Sequence, residues 1–168
     1  MGFYIYRLLV LFLPETRLFW FKRLLLRKLC GANIGKNVRI CSSARFQISG
    51  KLTILDNSWI GENALVTGGA VDVTIGRDVD IGPNVLIVTG KHELWGLEYK
   101  AAGKSYSESI EIKDGVWIGA SSTILGGVTV GENTMIAAGA VVVKSADANS
   151  VYGGVPAQQI KKKRIKWD

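Results

Sequence analysis

From Ile34 onward, apolar residues recur at every sixth position in uninterrupted runs. Read in sixes, the chain gives IGKNVR and ICSSAR, then ILDNSW and IGENAL, then IGRDVD and IGPNVL. After a gap come IKDGVW, IGASST, ILGGVT, VGENTM and IAAGAV. The first position is Ile or Val, the fourth is Asn, Asp, Gly or Ser, and the fifth is small or β-branched. A helical period of 3.6 or 3.5 does not divide such a repeat. Positions five and one of successive hexads, as in Val116-Trp117-Ile118, lie two apart and share one face of a strand. They point inward, and the residue between them points out. Position four turns the chain at positive φ, which Gly, Asn and Asp tolerate best. A short strand and a tight turn, repeated, make a solenoid coil, and stacked coils bury one continuous apolar column. Three hexads per coil predict a triangular prism. Its open ends need covers, and the N-terminal helices and the C-terminal segment are the candidates.

Residues 1–30 carry a different pattern and form a separate N-terminal helical segment, with 31–168 as the solenoid and its C-terminal cap. The opening MGFYIYRLLVLFLPETR holds an apolar run too short to span a bilayer, and it lacks a basic n-region and a cleavage site. PETRLFWFKRLLLRKLCG reads as a helix, with Pro14 suited to its start and Gly31 to its stop. Leu18, Phe21, Leu25 and Leu29 form a charge-free stripe expected to dock. The surplus apolar residues, among Arg17, Lys22, Arg23, Arg27 and Lys28, suggest another surface, either a neighbouring subunit or the membrane interface.

The hexads break twice. Between Val66 and Val73 the register slips, with Gly68 and Gly69 in the slip. Between Ile87 and Ile112 lies VTGKHELWGLEYKAAGKSYSESIE, a loop protruding at about 89–109, the kind of segment that carries function. His92, the single histidine of 168 residues, stands at its start. Turn duty accounts for much of the excess of glycine, 20 residues, and their regular spacing argues against low complexity. A net charge of +7 favours anionic partners, but no nucleic-acid recognition motif appears and the charge gathers at the two ends. Cys30 and Cys41 have neither CxxC spacing nor a His cluster, which argues against zinc or a disulfide framework and fits two reduced thiols of a cytoplasmic protein.

Residues 73–160 resemble the hexapeptide acyltransferases, above all the maltose, galactoside and polysaccharide acetyltransferase branch. The resemblance lies in VTIGRDVDIGPNVLIVTGKH, IEIKDGVWIGASSTILGGVTVGENTMIAAGAVVVKS and SVYGGVPAQQIKK. It implies a left-handed parallel β-helix and acetyl-CoA as cosubstrate, with no metal. It also implies a homotrimer with active sites between subunits. His92 stands where the family keeps its catalytic base. A neutral imidazole can take the proton of an acceptor hydroxyl or amine. A backbone N–H near Gly119 and Ala120 would receive the thioester oxygen. Ala120, Ala137 and Ala138 would let the pantetheine arm lie against the backbone, and Lys161, with Lys162 and Lys163, would meet the nucleotide phosphates. Gln158 stands where relatives often carry Arg, which removes one phosphate contact. Alternation turns Trp117 outward, toward a subunit interface or the wall of a neighbour's site. Asp72, beside the register slip, is a candidate to bind substrate or orient His92, whereas Asn84 fits turn duty.

The basic, aromatic N-terminus looks more like acetyltransferases of surface-polysaccharide synthesis, whose acceptors are nucleotide- or lipid-linked sugars. Peripheral contact with the inner membrane face would suit them. The alternatives are an acetyltransferase for a small free sugar or xenobiotic and a non-catalytic solenoid scaffold. One histidine is too few for the three-histidine zinc site of the γ-type carbonic anhydrases.

Overall fold

The computed structural model describes residues 1–97 and 99–162. Short parallel strands stack into three faces of a prism. The first face runs through Asn33–Ile34, Leu52–Ile54, Val73–Ile75, Ile110–Ile112 and Thr129–Val130. The second runs through Arg39–Ile40, Trp59–Ile60, Asp80–Ile81, Trp117–Ile118 and Met135–Ile136, and the third through Arg45–Gln47, Leu65–Thr67, Leu86–Val88, Thr123–Leu125 and Val141–Val142. Like stacks on like: Ile40, Ile60 and Ile81 align in register, as do Ile54, Ile75 and Ile112. These isoleucines are almost wholly buried, and so are the position-five residues from Val38 to Ala140. Where position five is a hydroxyl, the backbone takes it up. Ser58 Oγ donates to Gly76 O at 2.7 Å, Ser122 Oγ to Gly119 O at 2.7 Å and Thr134 Oγ1 to Asp147 O at 2.6 Å.

Position four adopts the expected left-handed turn at Asn37, Asn57, Asn63, Asp78, Asn84, Gly115, Ser121, Gly127, Asn133 and Gly139. Ser43 departs from the rule. Glu15 reaches it from the N-terminal segment, its Oε2 accepting from both the Ser43 amide (3.1 Å) and hydroxyl (3.0 Å).

The first coil has no preceding coil to donate to its carbonyls, and two helices close it: α1 (Gly2–Val10) and α2 (Phe19–Cys30). Gly31 ends α2 at φ 64° as expected, but Pro14 lies in the connection rather than in the first turn. The expected docking stripe docks only in part: Leu25 packs against the core and Phe21 is half-buried. Leu18 and Leu29 stay 43% and 38% exposed, and α2 buries Lys22 and Leu26. Lys22 Nζ donates to Pro14 O (3.0 Å), Glu15 O (2.7 Å) and Ile40 O (3.0 Å), Arg23 to Val38 O (2.9 Å), and Arg27 Nε to Ile34 O (2.8 Å). The reason is chemical: an end of a β-stack presents carbonyls, which need donors. Burial pushes the Lys22 pKa below its ordinary value. Tyr6 and Val10 of α1 complete the apolar closure.

At the other end, Ser150–Gly153 continues the second face and Gln158–Lys162 folds back antiparallel on it. The insertion that breaks the repeat is also ordered: Gly90–Leu97 and Lys100–Ser107 form an antiparallel hairpin arm rather than an irregular loop.

Lys22→Met would keep the bulk but leave Ile40 O and Glu15 O without this donor. It is expected to destabilise the fold by about 3 kcal/mol. Urea unfolding measures this, and wild-type stability in the variant would show that the ammonium is dispensable as a cap.

Candidate active site

The arm leaves the prism at the corner between the third and first faces, and Thr89 anchors it there. Thr89 is fully buried. Its amide donates to Thr67 O (3.0 Å), its carbonyl accepts from the Glu108 amide (3.0 Å), and its Oγ1 accepts from the Gly69 amide (3.1 Å). The Gly68-Gly69 slip now has a cause. A Cβ on Gly68 would lie 1.9 Å from Thr89 Oγ1, and one on Gly69 would lie 2.3 Å from Ser107 Oγ. Lys91 and Glu108 form an ion pair across the base of the arm.

His92 stands one residue further out, paired with Ser105. Its Nδ1 lies 3.1 Å from the carbonyl of Gly103. A carbonyl oxygen only accepts, so this contact puts the hydrogen on Nδ1 and leaves the lone pair on Nε2. The ring is exposed and borders an open recess of about 390 Å³ with Gly68, Gly69, Gly90 and Ser105–Ser107. Asp72 does not orient the imidazole. Its Oδ1 accepts from the Lys51 amide at 3.0 Å and ties two coils, while Gly103 holds the ring.

The other sequence candidates gather elsewhere. At the corner between the second and third faces, Gly61, Gly82, Gly119, Ala137 and Gly153 follow one another up the stack. The Gly119 amide donates to Ile136 O (2.8 Å) and the Ala137 amide to Tyr152 O (2.8 Å). Gly119 is therefore not a free oxyanion donor, whereas the Ala120 and Ala138 amides have no protein acceptor among the described residues. The approach is close: a Cβ on Gly119 would come within 2.5 Å of Ala138 N. Trp117 sits on the second face, 54% exposed, between Asp80 and Met135 in the ladder. Lys161 is exposed on the C-terminal hairpin opposite Val151, and Lys162 pairs through its backbone with Ser150. Lys163 lies outside the described residues. Within one chain, His92 and this small-residue column stand at opposite edges of the third face.

Sequence reasoning missed Thr89, Gly103, Lys91 and Glu108. Only the Gly-Gly slip hinted that something packs against it. The two cysteines are free, and burial pushes both thiols up to about 11, which keeps them protonated. No group of three or more potential metal ligands occurs among the described residues.

The bacterial transferase hexapeptide family (six repeats) matches residues 109–144. WcaF of Escherichia coli, named for an acetyltransferase of colanic acid biosynthesis, is 32% identical over 151 residues, 89% of this chain and 79% of that protein. The galactoside O-acetyltransferase of Escherichia coli is 37% identical over 134 residues, 77% of this chain and 63% of that one. The chain spans about half the length of other curated relatives it matches, 43% and 54% of two yeast proteins named as acetyltransferases, from Schizosaccharomyces pombe and Saccharomyces cerevisiae. Among solved structures, the N-acyltransferase AntD of Bacillus cereus, in complex with dTDP and 3-hydroxybutyryl-CoA, superposes with a TM-score of 0.72. It is 25% identical, over 82% of this chain and 75% of that one. The prism is a left-handed parallel β-helix of the kind these proteins share.

Thr89→Val would remove the acceptor of the Gly69 amide at the root of the arm. The expected result is a loss of about 1–2 kcal/mol with faster amide exchange across residues 90–107. Unchanged exchange there would mean that the ion pair and the ladder hold the arm alone.

Proposed function

The chain belongs to the hexapeptide-repeat acetyltransferases, and from that premise we propose that it transfers an acetyl group from acetyl-CoA to a sugar hydroxyl or amine, with His92 as general base. The contact between His92 Nδ1 and Gly103 O carries this reading, because it fixes the tautomer that leaves Nε2 able to accept a proton. Nε2 takes the acceptor proton as the acceptor oxygen or nitrogen attacks the thioester carbon. The carbonyl oxygen becomes an oxyanion, for which the free Ala120 amide is the candidate donor. Collapse breaks the carbon–sulfur bond, and the proton on His92 goes to the departing thiolate, giving free CoA and the acetylated sugar. The column of Gly119, Ala120, Ala137 and Ala138 would cradle the pantetheine arm, and Lys161 and Lys162 would meet its phosphates.

His92 and that column occupy different edges of one chain, so a complete site needs a second copy. A homotrimer in which the recess of one subunit faces the Ala120–Ala138 edge of the next would supply it, with Trp117 as a wall of the seam. The name of WcaF and the dTDP and acyl-CoA held by AntD support a nucleotide- or lipid-linked sugar acceptor in surface-polysaccharide synthesis.

No helix among the described residues is long and apolar enough to cross a membrane. The outer side of α1 and the turn after it nevertheless expose Tyr4, Leu8, Leu11 and Phe12 at 67%, 66%, 67% and 86%. Of the six basic side chains in residues 1–30, Lys22, Arg23 and Arg27 are bound to carbonyls, which leaves Arg7, Arg17 and Lys28 against a single acid, Glu15. An exposed apolar helix face with this charge suits peripheral contact with an anionic membrane surface.

His92→Ala should lower acetyl transfer by about 10²–10⁴-fold while CoA binding and the melting temperature stay as in the wild type; full turnover would remove the imidazole from the mechanism. Light scattering should give three chains per particle, and a monomer active at the same rate would refute the shared site. For the membrane contact, Leu8→Ser with Phe12→Ser should abolish co-sedimentation with phosphatidylglycerol vesicles, and retention of binding would remove α1 from that role.

A further inference from the structure

A second cavity lies under α1, against the third face of the first two coils, and it is distinct from the recess beside His92. It encloses about 300 Å³. Tyr6 and Arg7 line it from α1, Arg45 and Phe46 from the strand below, and Gly68 from the next coil. Two of these side chains are unusual. Tyr6 is 1% exposed, yet its hydroxyl has no hydrogen-bond partner. Arg45 Nε is shielded from solvent and is likewise unpartnered. Buried donors left without acceptors are costly, and native folds rarely keep them. Two of them on one cavity point to an acceptor supplied from outside the chain.

The chemistry of the walls narrows that acceptor. Neither Arg7 nor Arg45 makes an ion pair among the described residues, and no acidic side chain lines the cavity. An uncharged ligand would leave two guanidinium groups without a counter-charge, and a cation would be repelled. Three donors from two elements suit a group with several acceptor oxygens around one centre, which is a phosphoryl group. Phe3, Phe46 and Ile48 supply apolar surface beside them. Gly68 borders both this cavity and the recess beside His92, so the two lie side by side.

We infer that the cavity between α1 and Arg45–Gln47 is a distal acceptor subsite for the phosphoryl or pyrophosphoryl group of a phosphate-linked sugar, with Tyr6, Arg7 and Arg45 as its donors. This rests on the reading of His92 as the acetyl-transfer centre, and it specifies the acceptor as a glycosyl phosphate rather than a free sugar. The sugar would sit by His92, and its phosphate would pass Gly68 into the cavity. The group beyond the phosphate, a nucleoside or a lipid, would continue along α1.

The test is binding of UDP, farnesyl pyrophosphate, inorganic pyrophosphate and glucuronate to the full chain by titration calorimetry. The proteins are the wild type, Tyr6→Phe, Arg45→Gln and His92→Ala. At least one pyrophosphate-bearing probe is expected to bind the wild type and His92→Ala alike, and to bind Tyr6→Phe and Arg45→Gln about tenfold more weakly or worse. Without ligand, Tyr6→Phe should melt no lower than the wild type, since it deletes an unpartnered hydroxyl. Tighter binding of UDP than of farnesyl pyrophosphate would assign the phosphate to a nucleotide-linked sugar, and the reverse order to a lipid-linked one. Equal affinity of every probe for wild type and both cavity variants would overturn the subsite, as would a preference for glucuronate over all phosphates. If acetyl transfer depends on His92 while the cavity variants bind like wild type, the subsite falls and the catalytic reading stands. If the probes need Tyr6 and Arg45 but transfer ignores His92, the subsite stands and the catalytic reading falls.

Discussion

Coil-to-coil hydrogen bonding is the interaction on which this protein depends. Each strand of the five coils is two or three residues long, too short to persist alone, and it holds because similar strands stack against it. The same bonding creates the main liability, since the first and last coils each have one side with nothing to bond to. The chain closes the first with Lys22, Arg23 and Arg27 and the last with an antiparallel return strand. Three of the cations that make the N-terminal segment look like an anion-binding surface are therefore committed to backbone carbonyls. Net charge counted from the sequence overstates what is left for a partner. The exposed apolar side of α1 remains, with Arg7, Arg17 and Lys28, none of which forms an ion pair among the described residues.

The candidate site lies where the repeat is interrupted, and the interruption is as well braced as the coils. The arm rises from a buried threonine, across a glycine pair that leaves room for it, and an ion pair between Lys91 and Glu108 spans its base. That bracing gives a single exposed imidazole a fixed partner in Gly103 and hence a fixed tautomer. A histidine on a free loop would offer neither nitrogen consistently. The small-residue column follows the opposite logic. Its Gly119 and Ala137 amides tie coil to coil, while the neighbouring Ala120 and Ala138 amides keep no protein acceptor among the described residues. Standing at the far edge of the third face, it makes the proposed chemistry a property of the assembly.

Much of this was legible in the hexads. The period, the inward isoleucines and the turn residues follow from strand geometry and from which side chains tolerate positive φ, and both are local rules. Ser43 shows the limit. By sequence it is an ordinary fourth position, but Glu15, 28 residues away, takes up its amide and hydroxyl. The docking stripe of α2 shows the same limit more strongly. Counting apolar residues selected Leu18, Phe21, Leu25 and Leu29, whereas the surface to be covered was polar and selected Lys22.

The solenoid, the place of the insertion and the identity of the single imidazole are each written in spacing and residue type along a short stretch. What those features meet is set by the folded chain. It put Gly103 behind His92, assigned Asp72 to Lys51, withdrew the Gly119 amide from use and set Tyr6 and Arg45 around one cavity. Each of those pairs residues far apart in the chain, or one residue's side chain with another's backbone, and no periodicity records such a meeting.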